Sequence, residues 1–363
     1  MEEAANSRTP VLDTSFPKRI ELWRNAGNKA LYRGIMDRKA VSLLSGGLDS
    51  VLATRLVKDQ GIEVTALHFT SPFCNCTRKS LKGCGSQAVR SADELGVKVA
   101  VRTKGIEYLR IVQSPPHGYG RNMNPCIDCR IFMLRMARDF MEELGASFII
   151  TGEVLGQRPM SQRRETIGLI ERESGLAGLI VRPLSAHHFP PTIPEQEGII
   201  DRQRLLDLAG RSRKGQYKLA RQYDLKEFGC PAGGCLLTDH IFAERLRDLF
   251  RFKPDCTIFD AALLRTGRHF RLSPRTKVVV GRNKAENDLI RDLSLAGHLL
   301  LLPVSFKGPS ALIVGPAGEE EIDVSANIMA RYTKDPAFPV TVASGGTNRL
   351  VERLSIDFEN LKI

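Results

Sequence analysis

Residues 39–61 read KAVSLLSGGLDSVLATRLVKDQG, and this stretch decides the fold of the first part of the chain. The apolar run at 39–45 has the length and flanks of a buried strand, and the segment 48–60 has the apolar spacing of a helix. Gly61 follows at the position where glycine commonly ends a helix. The stretch therefore predicts a strand, a glycine-rich turn and a helix in direct succession.

The alternation of strands and helices continues downstream. Further strands are predicted at 62–69, 97–103 and 147–151, and further helices near 87–95 and at 127–144. Such alternation is typical of a parallel sheet with helices on both faces, and right-handed crossovers give that sheet a doubly wound order. We therefore expect an α/β fold built on a doubly wound parallel sheet.

The pattern changes near residue 252, where a second set of elements begins. Short apolar strands are predicted within 277–283, 300–305 and 311–316, and a helix at 285–293. A mixed order of this kind indicates a smaller α+β domain. We therefore expect three parts, which are an N-terminal extension at 1–37, the α/β domain at 38–251 and the α+β domain at 252–363.

The bulk composition favours a cytosolic protein with an anionic partner. The chain has 363 residues, a formal net charge of +12 and no apolar run of the length, about 18 residues, that predicts a membrane span. Its start, MEEAANSRTP, lacks the basic and apolar stretches of a signal peptide. The positive balance favours nucleic acid as the partner, although a solvated basic surface would give the same net charge.

The turn SGGLDS at 45–50 carries the clearest indication of chemistry. Glycines let the backbone approach a ligand closely, and the first N–H groups of the following helix face an anion. The hydroxyls of Ser45 and Ser50 supply further donors. No Walker-type phosphate loop is present. A serine-capped glycine turn is the alternative, but its place between a strand and a helix favours a nucleotide site.

The eight cysteines indicate metal or sulfur chemistry, because disulfides are disfavoured in a cytosolic chain. Seven of them lie in three groups, which are Cys74, Cys76 and Cys84, then Cys126 and Cys129, then Cys230 and Cys235. The middle pair opens a predicted helix, so its thiols lie on one face, and the helix N-terminus lowers their pKa. Distant thiols that join such a pair form zinc or iron–sulfur sites. A structural zinc and unligated buried thiols are the alternatives, and the first group either binds a separate metal or has no role.

Four other residues invite a functional interpretation. Cys256 is expected to pack as a small apolar residue. His68, at the end of a predicted strand, either contacts the nucleotide or packs within the sheet. His187 and His188 lie in a proline-rich loop and are expected to form a flexible surface element.

Several motifs resemble those of a known superfamily. The turn SGGLDS at 45–50 is typical of the PP-loop ATP pyrophosphatases. With TGEVLGQ at 151–157 and VRPL at 181–184 it resembles the tRNA 4-thiouridine synthases, while NPCIDC at 124–129 resembles the tRNA 2-thiouridylases and their iron–sulfur-dependent relatives. The resemblance covers about residues 38–240.

This resemblance implies a fold, a reaction and a set of residues. The fold is the adenine nucleotide alpha hydrolase-like sheet, and the reaction cleaves ATP between its α- and β-phosphates, places AMP on the substrate and releases pyrophosphate. The implied enzyme is an ATP-dependent tRNA sulfurtransferase in which Asp49 helps to hold Mg²⁺ and ATP. The residues implied to bind ATP are Ser45, Gly46, Gly47, Leu48, Asp49, Ser50, His68, Gly152 and Glu153.

The iron–sulfur-dependent relatives imply a 4Fe-4S cluster whose open iron site binds sulfide. Carried over, Cys126, Cys129 and Cys235 are the ligands and act in catalysis together with Asp49. Cys230 is the reserve third ligand, and zinc is the alternative metal. Neither a THUMP-like domain nor a rhodanese domain is seen in the sequence. We therefore expect sulfur to arrive as sulfide or from a cysteine desulfurase or persulfide carrier.

The segments GRHFRL at 267–272 and VVVGRN at 278–283 resemble the NFACT-type RNA-binding domain. Basic strand faces suit phosphate and base contacts, and a dimerisation or capping domain is the alternative. Arg130 and Arg158 are expected either to steady RNA or phosphates or to be solvated. The expected partner is tRNA. Two rival functions are a PP-loop ligase or sulfur-handling enzyme acting on a small molecule, and an RNA-binding protein with a vestigial loop.

Overall fold

The computed structural model describes residues 37–74, 85–229, 235–296, 298–334 and 337–363. The predicted N-terminal extension therefore lies outside the described residues except at its last position. The contacts divide the described chain into two compact units. The described part of the first unit runs from residue 37 to residue 229, except for residues 121–123. The second unit contains residues 121–123 and residues 235–363.

The first unit contains a five-stranded parallel sheet in the order β3-β2-β1-β4-β5. Its strands are β1 Lys39–Leu43, β2 Glu63–Thr70, β3 Lys98–Thr103, β4 Phe148–Ile150 and β5 Ile180–Val181. Its helices are α1 Leu48–Lys58, α2 Gly85–Leu95, α3 Ile106–Gln113, α4 Cys126–Glu143, α5 Arg164–Ser174, α6 Ile193–Gln196 and α7 Lys214–Gln222. All described pairings are parallel, so the predicted α/β sheet is confirmed.

Side chains of β1 alternate between two hydrophobic clusters, one on each face of the sheet. Ala40 belongs to the cluster that includes α1, whereas Val41 and Leu43 belong to the cluster that includes α4. Between them, the Ser42 hydroxyl lies 2.7 Å from the Thr54 hydroxyl of α1. Helices thus cover both faces, as a doubly wound sheet requires.

The strand order places two loops at the same edge of the sheet. After β1 the chain continues to β2 on one side, whereas β4 lies on the other side of β1. This is a topological switch point, and α/β sheets bind ligands there, beyond the carboxyl ends of the strands. The loop 45–50 follows β1 and the loop 151–157 follows β4, so both flank the switch point.

The second unit is an antiparallel six-stranded sheet in the order β11-β10-β8-β9-β7-β6, with helices beside it. Its strands are β6 Arg268–Arg271, β7 Lys277–Val280, β8 Leu299–Pro303, β9 Ala311–Val314, β10 Val340–Ser344 and β11 Thr347–Val351. Its helices are α8 His240–Phe252, α9 Ile258–Leu263, α10 Lys284–Asp292 and α11 Glu319–Arg331. The predicted C-terminal α+β fold is confirmed.

Helix α8 packs within the second unit, so the contacts change at residue 235 and not at the predicted boundary of 252. Arg271 of β6 donates from Nε to Asp248 Oδ1 of α8 at 3.1 Å, and Lys253 after α8 donates to Asp260 of α9 at 3.0 Å. Ion pairs between different elements leave no local pattern in the sequence, so the sequence did not predict that α8 belongs to the second unit. No helix in the described part of the chain is long and apolar enough to cross a membrane.

Candidate nucleotide and thiol site

The loop 45–50 turns sharply because two glycines allow it. Gly46 has a φ of +75°, and a Cβ there would lie 2.9 Å from the backbone nitrogen of Ala88 in α2. Its carbonyl accepts a hydrogen bond from Gly229 N at 2.7 Å, and Gly47 forms a β-bridge with the same residue. The loop is therefore held between α2 and the segment that ends at residue 229.

The two serines of the loop bond to the loop itself. Ser45 Oγ lies 3.1 Å from Ser50 Oγ, and Ser50 Oγ donates to Gly47 O at 2.8 Å. Gly47 N donates in turn to Ser45 Oγ at 3.3 Å. These bonds fix the shape of the turn, after which α1 begins at Leu48. The first N–H groups of a helix suit an anion at such a position.

The loop after β4 packs directly on the start of α1. A Cβ at Gly152 would lie 2.5 Å from Ser50 N and 2.6 Å from the Asp49 carbonyl carbon. Real Cβ atoms do not approach backbone this closely, so only glycine lets the two loops meet. Gly152 therefore belongs to the candidate site through its backbone.

Asp49 has one carboxylate oxygen engaged and one available. Its Oδ2 accepts from Gln157 Nε2 at 2.7 Å, and Arg213 Nε lies 3.9 Å from the same oxygen. Gln157 is oriented by Gln216 Nε2, which donates to its Oε1 at 3.3 Å. Asp49 Oδ1 is buried without a hydrogen-bond partner among the described residues. An unpaired carboxylate oxygen beside an anion site suits Mg²⁺.

Glu153, which was predicted to contact ATP, has its carboxylate buried in ion pairs. It lies 3.0 Å from Arg182 Nε and 3.3 Å from Arg130 Nε, and it accepts from Thr151 Oγ1 at 3.3 Å. Burial alone would raise the pKa of the Glu153 carboxyl, but Arg130 and Arg182 outweigh it and lower that pKa. Glu153 thus ties α4 to the loop after β4, and its contact with ATP stays a prediction.

Cys126 and Cys129 occupy the first turn of α4, as predicted. Asn124 Nδ2 donates to Cys126 Sγ at 2.8 Å, and Lys104 Nζ donates to Cys129 Sγ at 3.4 Å. The expectation of a lowered thiol pKa is wrong for Cys126. Burial and the neighbouring Cys129 raise the pKa of Cys126 more than Arg158, Arg130 and the Asn124 hydrogen bond lower it.

The charge of Arg158 is felt at both the nucleotide loop and the cysteine pair. Partial desolvation and the charges of Arg130 and Arg213 lower the pKa of its guanidinium, and the smaller opposing effects of Cys126 and Asp49 do not reverse this. Arg158 is itself exposed. Its role, on phosphates or RNA or as a solvated side chain, stays a prediction.

The remaining predicted residues have mixed outcomes. His68 is buried in β2, and its Nδ1 lies 2.9 Å from Leu44 O, while burial lowers its pKa. This position favours the packing alternative, in which His68 supports the strand before the loop. Cys256 is fully buried, as expected. His187 and His188 lie in a short 3₁₀ helix, and a ring nitrogen of each contacts a backbone oxygen. These contacts hold both side chains in place, so the prediction of a flexible surface element is wrong.

The other predicted metal ligands are not brought together by any described contact. Cys74 lies after β2 with Sγ 3.4 Å from Ser71 Oγ, and Cys235 begins the second unit, where its carbonyl accepts from Thr238 N at 3.0 Å. Within the described ranges no group of three or more His, Cys, Asp and Glu could hold a metal ion. Cys76, Cys84 and Cys230 lie outside those ranges, so both ligand sets stay predictions.

Sequence reasoning missed several residues of the site. Lys104 is buried behind Cys129, with Nζ 4.2 Å from the Tyr108 ring centroid. Its position just after β3, at the carboxyl edge of the sheet, was a usable signal. Gln157 is the last residue of the motif TGEVLGQ at 151–157, but the motif alone did not predict a role for it. Arg213 and Gln216 lie far along the chain in a basic stretch and carry no local signal.

Comparison with known proteins identifies two segments of the chain. Residues 35–188 match the family model described as thiamine biosynthesis protein (ThiI). This segment is similar to the ThiI family. Residues 267–357 match the NFACT protein RNA binding domain. The resemblances predicted from SGGLDS and from the C-terminal strands are confirmed.

Similar proteins include tRNA-modifying enzymes. A probable tRNA sulfurtransferase of Methanothermobacter thermautotrophicus is 33% identical over 127 residues, which is 33% of this chain and 30% of that protein. A 4-thiouridine synthetase–RNA complex with bound ATP has 22% identity and a TM-score of 0.34, covering 62% of this chain and 52% of that one. The U34-tRNA thiolase NcsA from Methanococcus maripaludis with its 4Fe-4S cluster has 15% identity and a TM-score of 0.33, covering 63% and 70%.

Proposed function

We propose that this chain is an ATP-dependent tRNA sulfurtransferase, which thiolates a uridine and forms AMP and pyrophosphate. The observation that carries the proposal is that α4, which holds Cys126 and Cys129, is tied to the nucleotide loop: Arg130 pairs with Glu153 at 3.3 Å, and the neighbouring Gly152 packs against Ser50. An enzyme that activates a base with ATP and then replaces oxygen by sulfur needs both sites within reach of one substrate atom. The ThiI-family match and the sulfurtransferase relative support this reading, although the matched stretch spans only 30% of that relative.

ATP binding is proposed at the loop 45–50. The first N–H groups of α1 suit the phosphates, and Arg213, with Nε 3.9 Å from Asp49, can balance their charge. Asp49 Oδ1, buried and without a described partner, is the proposed ligand of Mg²⁺. A bound Mg²⁺ would polarise the phosphate oxygens and stabilise the leaving pyrophosphate.

The proposed chemistry has two steps. The uridine carbonyl oxygen attacks the α-phosphorus of ATP, an O–P bond forms, and the bond to the β-phosphate oxygen breaks to release pyrophosphate. A sulfur nucleophile at the oxidation level of sulfide then bonds to the activated carbon. AMP leaves with the former carbonyl oxygen, and a proton passes to solvent. Activation is needed because a bare carbonyl oxygen is a poor leaving group, and Arg158 is placed to stabilise the charge on the α-phosphate.

Cys126 and Cys129 suit a soft metal or an iron–sulfur cluster. Two thiols on one helical turn, with N–H donors from Asn124 and Lys104 on their sulfur atoms, form the kind of donor set that holds such a group. Cys235, or Cys230 in reserve, is the proposed third ligand. A bound 4Fe-4S cluster would supply an open iron at which sulfide is held, and zinc is the alternative metal.

The proposed partner is tRNA, in the cytosol, and the NFACT-type match supports an RNA-binding role for the second unit. The sulfur donor is proposed to be sulfide or a persulfide carrier. The test is pyrophosphate release from ATP by protein purified without oxygen. Unmodified tRNA should accelerate release, whereas the same tRNA already thiolated should not. If the rate of pyrophosphate release does not change with tRNA but rises with a small metabolite, the protein is instead a PP-loop ligase.

A further inference from the structure

A basic cleft opens in the second unit beside the start of α10. Its volume is about 450 Å³, which is within the range of ligand sites. Five basic side chains line it, which are Arg268, Arg282, Lys284, Arg291 and Lys307. Asp288 is the acidic residue among the described lining. The cleft therefore presents a strong excess of positive charge.

Three of the five cations have no carboxylate partner in the described part of the chain. Arg282 bonds to Glu286 at 2.9 Å, and Arg291 bonds to Asp288 at 3.2 Å, so these two are neutralised locally. Arg268, Lys284 and Lys307 form no such ion pair among the described residues. A protein surface that keeps three unpaired cations around one cleft suits an anionic ligand.

The cleft is also organised for an anion at its base. Arg268 is fixed there, because Nη1 donates to Gly281 O at 3.3 Å and the guanidinium lies 4.2 Å from the Tyr332 ring centroid. Asn283 caps α10 by accepting from Glu286 N at 3.0 Å, which leaves the earlier N–H groups of the helix for a ligand.

The lysines and the arginine lie at different depths of the cleft. Gly281 at its wall packs against Asn287, since a Cβ there would lie 2.0 Å from Asn287 Oδ1. Lys284 and Lys307 are exposed at the rim, while Arg268 is half-buried below them. An extended polyanion can therefore pass over the lysines and place one phosphate against Arg268.

We propose that this cleft binds a backbone phosphate of the RNA substrate, with Arg268 and the start of α10 holding the phosphate and Lys284 and Lys307 contacting its neighbours along the strand. The inference rests on the proposed function, since it takes the RNA to be the tRNA that is thiolated. The shared chemistry is a phosphate group, and a free nucleotide is the other source of one.

The test measures binding of labelled unmodified tRNA to the full chain by fluorescence anisotropy from 50 to 200 mM salt. The Lys284→Ala/Lys307→Ala variant should bind more weakly, and its slope of log affinity against log salt should fall by about 1 for each lysine. Arg275→Ala/Arg353→Ala is the matched control. It removes the same charge from exposed positions of the second unit that do not line the cleft. The Lys307→Glu variant repeats the test by charge reversal.

The outcomes separate the inference from the function on which it rests. An unchanged salt slope in the lysine variants, or an equal loss in the control, overturns the inference. ATP or inorganic phosphate that binds the wild type more tightly than the lysine variants, while tRNA binds both equally, would make the cleft a nucleotide site and overturn the RNA assignment. Acceleration of wild-type pyrophosphate release by tRNA reports on the proposed function independently of all these results.

Discussion

At the scale of single residues, the two carboxylate oxygens of Asp49 have different surroundings. Oδ2 accepts a hydrogen bond from Gln157, whereas Oδ1 has no described partner and is the proposed cation ligand. Asp49→Asn keeps the size of the side chain and removes its charge. We predict that the rate of tRNA-dependent pyrophosphate release falls roughly 100-fold, as for loss of one strong electrostatic contact in an active site.

The matched control for this change is Asp224→Asn. Asp224 has a φ of +50°, which asparagine tolerates, and its side chain is 84% exposed. Its variant should retain wild-type release. A wild-type rate in Asp49→Asn would remove this residue from the nucleotide site.

Glu153 carries the second residue-scale prediction. Glu153→Gln removes one of the two counter-charges of Arg182, which is 4% exposed and also pairs with Glu171. We expect the free energy of unfolding in urea to fall by about 3 kcal/mol, because breaking a buried ion pair leaves its remaining charge poorly compensated. Glu227→Gln breaks an exposed pair with Arg90 and should cost less than about 1 kcal/mol. Equal losses in the two variants would contradict the buried-pair assignment.

At the scale of elements, the close approach of the loop after β4 to α1 depends on Gly152. Gly152→Ala would place a Cβ 2.5 Å from Ser50 N, so the two loops must separate. We predict a loss of stability of about 1–3 kcal/mol, with weaker binding of ATP measured by equilibrium dialysis. Gly105→Ala is the control, because a Cβ there meets nothing within 4 Å. ATP affinity unchanged in Gly152→Ala would show that the loops do not share the ligand.

His117 links two helices through a charge-dependent contact. Its Nδ1 lies 2.8 Å from Asp128 of α4, and its Nε2 lies 3.0 Å from Glu173 of α5. The Asp128 hydrogen bond is the first cause that raises the pKa of His117, against the opposing effect of burial. The contact therefore stabilises the fold fully below the ordinary histidine pKa of about 6.5 and loses this effect as pH rises through the higher folded value.

His117→Gln removes this contact, which stabilises the fold more at low pH than at high pH. The difference in unfolding free energy between wild type and variant should be larger at pH 5.5 than at pH 8.5, measured by urea denaturation. His240→Gln is the control, since this side chain is 77% exposed beside Glu244, and it should change the unfolding free energy less than His117→Gln at pH 5.5. A difference that grows toward high pH would contradict the contact.

At the scale of the whole molecule, the sequence was sufficient for the elements that have strong local periodicity. The strand before SGGLDS, the helix after it and the long helix from Cys126 were predicted within one or two residues, because each has a clear apolar pattern and a recognisable boundary. The two-residue β5 was missed because it is too short to show any period. The helix Arg164–Ser174 was missed because charged residues dominate it.

The site was predictable only in part. The loop and the cysteine pair are local motifs, so the sequence displays them. Arg213 and Gln216 reach Asp49 and Gln157 through folding of distant segments, and no local pattern encodes such contacts. The raised pKa of Cys126 likewise depends on burial, which overrides the helix-end effect expected from its position.

We propose that base activation at the loop 45–50 and sulfur transfer at the cysteine pair occur in one site. The most direct measurement is nucleoside mass spectrometry of tRNA incubated with ATP, sulfide and oxygen-free protein, with pyrophosphate release followed in parallel. We predict that wild type forms a thiolated uridine, and that Cys126→Ala releases pyrophosphate in response to tRNA but forms no thionucleoside. Cys256→Ala, in the second unit, should retain both activities. A thionucleoside formed by Cys126→Ala, or none formed by the wild type, would contradict the account.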